Sequence, residues 1–447
     1  MRYLANDDFH AAAAGSGTLP PMARERAGKR IVFATFGSLG DLQPFLAIGA
    51  ELGARGHDPI VATSEVYRER VLAANLRFAP ARPDRSPLQQ DPDFLHRLIR
   101  DRQSPAVVFR TMFLPSLRGS LADLQCVMRD ADLIIAHPLA SAARLAAEAR
   151  GLPWVSAVMQ PMGYLSAWEP PVIGPPWLSA AFRALGPGPS GRVLTLARRL
   201  TDSWSKEWHE LRGELGLARV KDHPLWEGQH SPLCSLGLFS RVLGDPQPDW
   251  PPQSRITGFP FYRSPEQVLD PGLRRFLENG DPPIIFTLGT TAVNDPGPFF
   301  EESAAASHHL GLRAVLFIGH ANEDRFTSST SDVITVPYAP HELVFPFARA
   351  IVHQGGIGTL AEGLLAGKPM LIMPYGHDQA DNAWRAHRLR VARVIGRGRY
   401  RSQVVGRELG RLLDDQASQK AAVNIARRVS QERGVESAAD LIEAALR

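Results

Sequence analysis

The sequence predicts an α/β protein with two parallel-sheet domains. A chain of 447 residues is long enough for two substantial domains. In the first half, a continuous apolar strand at residues 30–36 runs into a glycine-containing turn and then into a helical pattern. In the second half, residues 350–352 form a similar strand before a glycine turn and a helix. Repeated strand–turn–helix units are typical of parallel sheets covered by helices.

The first unit continues from Gly37 through Pro44 into a helix that ends near Gly56, and residues 57–63 form the next strand. A dinucleotide-binding fingerprint would need a third glycine where this chain has Gln43. The pattern therefore argues against a nicotinamide cofactor, and we expect no cofactor.

Composition narrows the class of protein. The chain is 44% hydrophobic and 21% charged, as is usual for an enzyme in aqueous solution. A net charge of +4 suits phosphate ligands or an anionic membrane surface without requiring nucleic acid, and no basic arm with interleaved aromatic residues is present. Cys126 and Cys234 give neither a disulfide framework nor a metal-binding pattern. We expect no metal site, a reducing cytoplasmic compartment and no transmembrane segment.

The second unit predicts an anion site. The strand at 350–352 ends at His353, and Gly355, Gly356 and Gly358 precede a helix that begins near Thr359. Free N–H groups at a helix start bind phosphate, and glycines let the backbone come close. His353 is expected at the mouth of this site as a further donor.

Polar residues after the anion site suggest the rest of the ligand. Glu362 lies one turn into the helix and can accept hydrogen bonds from two ribose hydroxyls. Asp378 and Gln379, after the next strand, suit a polyol. Phosphate, ribose and sugar contacts in this order describe a nucleotide sugar.

This segment resembles the donor-binding signature of the family 1 glycosyltransferases, which have the GT-B fold of two Rossmann-like domains facing a cleft. The matching residues are Tyr338, Ala339, Pro340, His341, His353, Gly355, Gly356, Thr359, Glu362, Gly367, Pro369, Asp378, Gln379 and Asn382. Tyr338 stands where the family usually has a tryptophan that stacks on the base, and His341 replaces a glutamine. The resemblance further implies that the Gly289–Thr290 turn binds the diphosphate, and it leaves uracil and thymine both open.

The N-terminal motif, which contains Ser38, Gly40 and Asp41, resembles the branch of sterol glucosyltransferases and rhamnolipid rhamnosyltransferases. Many relatives have a histidine base where Asp41 stands and an orienting aspartate where His137 stands, so the two residue types look exchanged. We predict that Asp41 and His137 approach each other across the cleft. Either residue could be the base. The alternative to a catalytic role is that Asp41 only caps the following helix and His137 only ends a strand.

The resemblance also implies the acceptor side. Residues 159–177 are loop-like and apolar and correspond to the family's acceptor pocket, with Ser38, Gln160, Tyr164 and Trp168 as candidate contacts. A surface loop that covers the core is an equal alternative for this segment. The amphipathic pattern at 192–208 fits a core-facing helix, with peripheral membrane contact as the alternative.

We expect a disordered tail at 1–28, an acceptor domain at 29–240, a proline-rich linker at 241–257 and a nucleotide-sugar domain at 258–447. The last helix, at 436–446, often crosses back to the first domain in GT-B enzymes.

The resemblance implies an inverting, metal-independent transfer of a hexose. The donor would be UDP-glucose or a dTDP- or UDP-deoxysugar, and the acceptor a hydroxyl of a lipid, sterol, terpenoid or polyketide, as in natural product glycosylation. Two alternatives remain: a nucleotide-sugar epimerase of the same fold, and an inactive glycosyltransferase-like auxiliary protein.

Overall fold

The structure is a computed structural model that describes residues 28–84, 112–174, 176–264, 267–326 and 331–447. The tail predicted at 1–28 lies outside these ranges except for Gly28. The sequence also shows a helical pattern at 105–127, and its start lies outside these ranges.

The N-terminal sheet is parallel throughout. Its strands lie in the order β3-β2-β1-β4-β5-β6-β7. They are β1 (Arg30–Ala34), β2 (Asp58–Thr63), β3 (Arg77–Pro80), β4 (Leu133–Ala136), β5 (Trp154–Val158), β6 (Ser235–Gly237) and β7 (Ser254–Ile256). The order reverses beside β1, so the loops after β1 and β4 lie next to each other at the carboxyl edge of the sheet. This arrangement brings two distant parts of the chain to one place.

Helices cover both faces of this sheet. They are α1 (Leu39–Ala54), α2 (Arg68–Ala73), α3 (Leu114–Val127), α4 (Ser141–Arg150), α5 (Pro176–Leu185), α6 (Pro187–Leu200) and α7 (Lys206–Glu214). The prediction of a core-facing helix at 192–208 holds for Trp208 on α7, which is buried, but not for α6. Leu196 and Leu200 on α6 are exposed.

The C-terminal sheet is also parallel, in the order β10-β9-β8-β11-β12-β13. Its strands are β8 (Ile284–Thr287), β9 (Ala314–Phe317), β10 (Val333–Val336), β11 (Ala350–His353), β12 (Met370–Ile372) and β13 (Ala392–Val394). Its helices are α8 (Pro271–Glu278), α9 (Gly289–Ala292), α10 (Phe299–His309), α11 (His341–Val344), α12 (Ile357–Leu365), α13 (Gln379–Arg388), α14 (Ser402–Asp414) and α15 (Gln416–Val429). The predicted α/β class with two parallel-sheet domains is confirmed.

The segment between the two sheets differs from the predicted linker at 241–257. Its last residues form β7, which pairs with β6 in parallel at the edge of the first sheet. A short strand of three residues among prolines carries little apolar signal, which is why its sequence resembles a connector.

The last helix, α16 (Gly434–Ala445), packs on α1 of the first domain. Ile442 is fully buried in the apolar cluster beneath α1. Arg55 at the end of α1 donates to Asp440 at 2.6 Å and to Glu443 at 3.0 Å. The chain therefore returns to the N-terminal domain. This contact joins the two domains in addition to the segment that connects their sheets.

A buried ion-pair network joins the domains at a third place. Arg385 on α13 is 1% exposed and donates to Asp381 at 2.6 Å and to the Leu243 carbonyl at 2.8 Å. It also pairs with Glu169 from the loop after β5. The backbone N–H of Val172, in the same loop, donates to Asp381 at 3.0 Å. This loop therefore docks on the helix that follows Asp378.

Within the described ranges, no helix combines the length and apolar character that a membrane crossing needs.

Candidate functional site

A cleft of about 1880 Å³ lies between the two domains. Its walls are built from loops that follow the carboxyl ends of strands in both sheets, after β1, β4 and β5 on one side and after β8, β11 and β12 on the other. Ligands of open parallel sheets bind at this edge.

Asp41 and His137 approach each other as predicted, but both lie on the N-terminal wall and do not face each other across the cleft. His137 Nε2 lies 3.5 Å from Asp41 Oδ1. The backbone N–H of Leu139 donates to His137 Nδ1 at 3.2 Å, so the ring proton of the neutral imidazole lies on Nε2 and faces Asp41. His137 is thus a hydrogen-bond donor to the carboxylate.

Asp41 also closes the N-terminus of α1. Its Oδ2 accepts hydrogen bonds from the backbone N–H of Ser38 at 2.6 Å and from the Ser38 hydroxyl at 2.9 Å. A Cβ on Gly37, whose φ is +131°, would lie 2.3 Å from Asp41 Oδ2, so only glycine fits there. The cap predicted as the structural alternative is therefore present together with the His137 contact.

The pKa of Asp41 reflects opposing causes. Burial raises it, but the hydrogen bonds from His137 and Ser38 oppose burial, and the pKa lies below its usual value. Asp41 is therefore ionised near neutral pH.

The N-termini of α1 and α12 face each other across the cleft. A Cβ built on Gly358 would lie 3.9 Å from the Cα of Gly40. Gly356, Gly358 and Thr359 all line the cleft. The first turns of α1 and α12 therefore meet beside the cleft, and the positive N-terminus of α12 on its wall suits an anion.

Gln354 is a residue that the sequence analysis missed at this anion site. Its side-chain amide packs between the two glycine turns: a Cβ on Gly289 would lie 2.3 Å from Gln354 Nε2, and one on Gly356 would lie 2.8 Å from it. Gln354 Oε1 is buried and has no hydrogen-bond partner among the described residues. Gly289 and Thr290 line the cleft beside it.

His353 differs from the prediction. It was expected at the mouth of the anion site, but it is fully buried and does not line the cleft. Its Nδ1 accepts from the backbone N–H of Gly355 at 3.1 Å. Burial, with a smaller effect of His341, lowers the pKa of His353 to about 3, so the ring is uncharged at neutral pH. It does not supply a positive charge to a phosphate.

Glu362 lines the cleft one turn into α12. Burial raises its pKa against the opposing effect of Arg263. Arg263 donates to both carboxylate oxygens, at 2.6 Å to Oε1 and 3.1 Å to Oε2. No local sequence pattern indicates this partner.

Asp378 and Gln379 lie where β12 leads into α13, and both line the cleft. Burial, followed by the charge of Asp41, raises the pKa of Asp378 to about 7. Asn382 is fully buried and does not line the cleft; it donates to Asp378 Oδ2 at 2.6 Å and to the Gly355 carbonyl at 3.0 Å. Asn382 therefore orients Asp378, which differs from the predicted direct contact with the donor.

Gly355 also lies behind the cleft wall. With φ at +94°, a Cβ on it would lie 2.9 Å from Ile372 and 3.0 Å from the Gln379 carbonyl. It allows the α12 turn to approach the start of α13.

Tyr338 and His341 line the far end of the cleft. Tyr338 is 43% exposed, and the Arg70 guanidinium from the other domain lies 6.0 Å from the centre of its ring. His341 is stacked between Phe345, at 4.5 Å, and Phe317, at 5.7 Å. Burial lowers the pKa of His341 to about 4, so the ring is neutral.

The N-terminal wall carries an apolar pocket beside Asp41. Gln160 and Ser38 line the cleft as predicted, together with apolar residues that the sequence did not single out: Phe36, Met112, Phe113, Leu139, Met159 and Met162. These residues come from four separate loops, and no local motif marks them.

Two predicted acceptor contacts lie elsewhere. Tyr164 is buried in the core, stacked on Trp250 at 4.2 Å and on His230 at 5.2 Å. Trp168 is 54% exposed and does not line the cleft. The later part of this loop, around Glu169, docks on α13 instead of lining the pocket, because Glu169 pairs with Arg385 and Arg388.

Among the described residues, no group of three or more His, Cys, Asp or Glu side chains is placed to hold a metal ion.

Comparisons with known families match both halves of the chain. Residues 31–162 match the glycosyltransferase family 28 N-terminal domain. Residues 279–437 match the family described as UDP-glucoronosyl and UDP-glucosyl transferase.

Individual relatives extend these matches. The chain is 31% identical over 429 residues to the O-mycaminosyltylonolide 6-deoxyallosyltransferase of Streptomyces fradiae, covering 93% of this chain and 97% of that protein. It is 28% identical over 401 residues to the sterol 3-beta-glucosyltransferase UGT80A2 of Arabidopsis thaliana, covering 85% of this chain and 58% of that longer protein.

Solved structures share the fold. The calicheamicin glycosyltransferase CalG4 has a TM-score of 0.71 at 17% identity, covering 94% of this chain and 98% of that one. The glycosyltransferase VinC in complex with dTDP has a TM-score of 0.65 at 19% identity, covering 93% of this chain and 99% of that one.

Proposed function

The chain belongs to the glycosyltransferases of the GT-B fold, and from this membership we propose that it transfers a hexose from a nucleoside diphosphate sugar to a hydroxyl of a hydrophobic small molecule. The observation that carries the proposal is the approach of two helix N-termini at Gly40 and Gly358, with Asp41 on one side and Glu362 and Asp378 on the other. An anionic donor would lie between a base and a sugar-binding carboxylate.

The donor would bind the C-terminal wall by its diphosphate. The N–H groups of the α12 turn and the Gly289–Thr290 turn would hold it, with the Gln354 amide as a further donor. Gln354 Nε2, the donor atom of this amide, lies beside both glycine turns, which supports this role. These contacts would stabilise the leaving diphosphate without a metal ion.

Asp41 is the better candidate for the base. His137 Nδ1 is already an acceptor for the Leu139 N–H, and Nε2 carries the proton, so the neutral ring has no free lone pair for an acceptor hydroxyl. Asp41 keeps acceptor capacity toward the cleft that it lines. His137 would orient the carboxylate and stabilise its charge.

A carboxylate with a lowered pKa is a weak base for a free alcohol, but the timing of proton transfer removes this objection. As the hydroxyl oxygen bonds to the anomeric carbon, it becomes strongly acidic, and Asp41 then takes its proton. The C–O bond to the diphosphate breaks at the same carbon. Attack from the face opposite the leaving group would invert the anomeric configuration.

The acceptor would bind the apolar pocket beside Asp41. Side chains of Phe36, Met112, Leu139 and Met162 suit a hydrophobic ring system or chain, and methionines adapt to irregular shapes. The names of the relatives, a tylonolide glycosyltransferase and sterol glucosyltransferases, agree with a macrolide, other polyketide or sterol. Natural product glycosylation is the role that we propose.

The cytoplasm is the proposed location. Cys126 and Cys234 are both free thiols, which is compatible with a reducing compartment.

A transfer assay tests the proposal. The protein is incubated with a panel of UDP- and dTDP-hexoses and a library of hydrophobic alcohols, and products are identified by mass. We expect one acceptor to gain one sugar as a nucleoside diphosphate is released. Conversion of a nucleotide sugar to its epimer without an acceptor would show that the protein is an epimerase and not a transferase. Absence of any nucleotide binding would favour an auxiliary protein.

A further inference from the structure

The start of α13 carries the two side chains that would hold the sugar of the donor. Asp378 is the N-cap residue of this helix and Gln379 is its first residue, and both line the cleft. The side-chain oxygen of Gln379 accepts hydrogen bonds from the backbone N–H groups of Tyr375 at 2.8 Å and Gly376 at 3.2 Å. The amide is thus fixed relative to the loop before the helix. The place of both side chains in the cleft therefore follows the position of the first turn of α13.

A loop of the N-terminal domain holds that first turn. Asp381 lies in the first turn of α13 and is fully buried. It accepts hydrogen bonds from the backbone N–H of Val172 at 3.0 Å and from Arg385 Nε at 2.6 Å. Glu169, three residues before Val172 in the same loop, pairs with Arg385 and Arg388 in the last turn of the helix. The loop therefore contacts α13 at both of its ends.

The same network lies against the turn that begins the acceptor wall. Gln160 and Met162 line the cleft on the two sides of Pro161 in the sequence. A Cβ built on Gly244 would lie 3.0 Å from Arg385 Nη1 and 3.2 Å from the side chain of Pro161. Pro161, Gly244 and Arg385 are therefore closely packed, and the network lies between the acceptor wall and the helix that carries the sugar-binding groups.

Glu169 anchors the loop by its charge. Burial raises its pKa, but the charges and hydrogen bonds of Arg385 and Arg388 oppose burial, and the pKa lies below its usual value. Glu169 is therefore ionised near neutral pH. Without Glu169, Arg385 keeps Asp381 as a partner, and Arg388 has 43% of its side chain exposed to solvent. Removal of Glu169 thus releases the loop from α13 without leaving a buried charge unpaired.

We propose that Glu169 is a positioning residue for the sugar of the donor: it anchors the loop to α13 and so fixes Asp378 and Gln379 relative to the acceptor wall. Glu169 does not line the cleft, so it acts through the helix and not by contact with the sugar. The inference rests on the proposed function, which assigns the sugar to the start of α13. The diphosphate site at the start of α12 lies on a different helix and does not need this loop.

Calorimetric titration with UDP, UDP-glucose, dTDP and dTDP-glucose tests the inference. The members of each pair differ only in the glucose. The titrations are run at about pH 8, because the pKa of Asp378 is about 7 and its carboxylate is then ionised. In Glu169→Ala, the affinity for UDP and dTDP should stay within about twofold of the wild type, and that for the nucleotide sugars should fall by about 5–10-fold. Glu169→Gln keeps an oxygen that can accept from the arginines, and its loss should be smaller.

Glu148→Ala is the matched control. Glu148 on α4 pairs with Arg144 and Arg212, so its removal breaks an ion pair of the same kind inside the N-terminal domain. Urea denaturation shows how much stability each variant loses. We expect both variants to lose stability, and only Glu169→Ala to bind the nucleotide sugars less tightly relative to UDP and dTDP.

The outcomes separate the inference from the function beneath it. An unchanged ratio of nucleotide-sugar to nucleotide affinity in folded Glu169→Ala overturns the inference. An equal loss for nucleotides and nucleotide sugars, or the same change of ratio in Glu148→Ala, also overturns it, because a general loss of stability would explain both results. Binding of none of the four ligands by the wild type would instead overturn the proposed function.

Discussion

His137 Nε2 lies 3.5 Å from Asp41 Oδ1 while the Leu139 N–H, at 3.2 Å, occupies the other ring nitrogen. The two residues follow β1 and β4, which are neighbours in the sheet although about a hundred residues separate them in sequence. The orientation of the ring makes Asp41 the acceptor of the pair and leaves it facing the cleft.

Replacing the two residues should have unequal effects. Asp41→Asn keeps the shape but removes the base, and we expect kcat to fall by about 10²–10⁴-fold. His137→Ala removes only the orienting donor, so kcat should fall less. Its loss should also raise the pKa of Asp41, which moves the acidic limb of the kcat/KM profile to higher pH. Steady-state kinetics across pH measure both effects.

Ser38→Ala is the matched control, because it removes one hydrogen bond to the same carboxylate and leaves His137 in place. Full activity in Asp41→Asn, Asp41→Ala and His137→Ala would reject both residues as the base.

Donor affinity should depend on pH through Asp378. The pKa of this carboxyl is raised to about 7, first by burial and then by Asp41. Asp378 is therefore protonated below that pH and ionised above it, and the ionised form accepts hydrogen bonds from two sugar hydroxyls. Affinity for an intact nucleotide sugar should rise with pH through about 7. In Asp41→Asn, the rise should move to lower pH, because the neighbouring charge is gone.

Calorimetric titrations at pH values on both sides of neutrality measure this dependence. Asp378→Asn is the control and should show weak binding without the rise. A wild-type affinity that falls with pH, or an unchanged midpoint in Asp41→Asn, would contradict the prediction.

The interdomain ion-pair network should be important for stability. Arg385→Met leaves the buried Asp381 and Glu169 without their shared partner. Loss of one member of a buried pair costs about 3–5 kcal/mol in free energy of unfolding. Urea denaturation should show this loss, and Arg427→Met, on the surface of α15, should not. A change below about 1 kcal/mol would show that the network contributes little.

The apolar pocket should determine acceptor binding. Leu139→Ala removes packing surface beside His137, and kcat/KM for the acceptor should fall by about 5–10-fold while donor affinity stays unchanged. Trp168→Ala is the control, since its ring lies outside the cleft. Equal losses in both variants would show that the segment around Trp168 is also part of the acceptor wall.

The sequence predicted what local patterns encode. Each strand–glycine–helix unit is recognisable from residues that are adjacent in the sequence. The two parallel sheets and the turns at Gly37 and Gly356 were therefore predicted. Asp41 and His137 were paired through the family resemblance, since many relatives have a histidine and its orienting aspartate at these two positions. The three-residue β7 and its register could not be predicted, because so short a strand is decided by pairing with β6.

Local sequence patterns also could not predict the interaction partners of the site residues. Arg263 meets Glu362 from 99 positions away, and Arg385 meets Glu169 from 216 positions away. The burial of His353 and Tyr164 likewise depends on neighbours in space. A motif predicts which residue types stand at a turn but does not tell which of them face the ligand.

The account depends most directly on the anion site at the start of α12. Gly358→Ala adds a methyl group in ordinary contact with Gly40, and it should bind UDP or dTDP within a few-fold of the wild type. Gly358→Asp adds a negative charge at the start of α12, beside the proposed diphosphate site, and calorimetric titration should show an affinity loss of about 10- to 100-fold. Nucleotide binding that is equally strong in Gly358→Asp and Gly358→Ala would contradict the account.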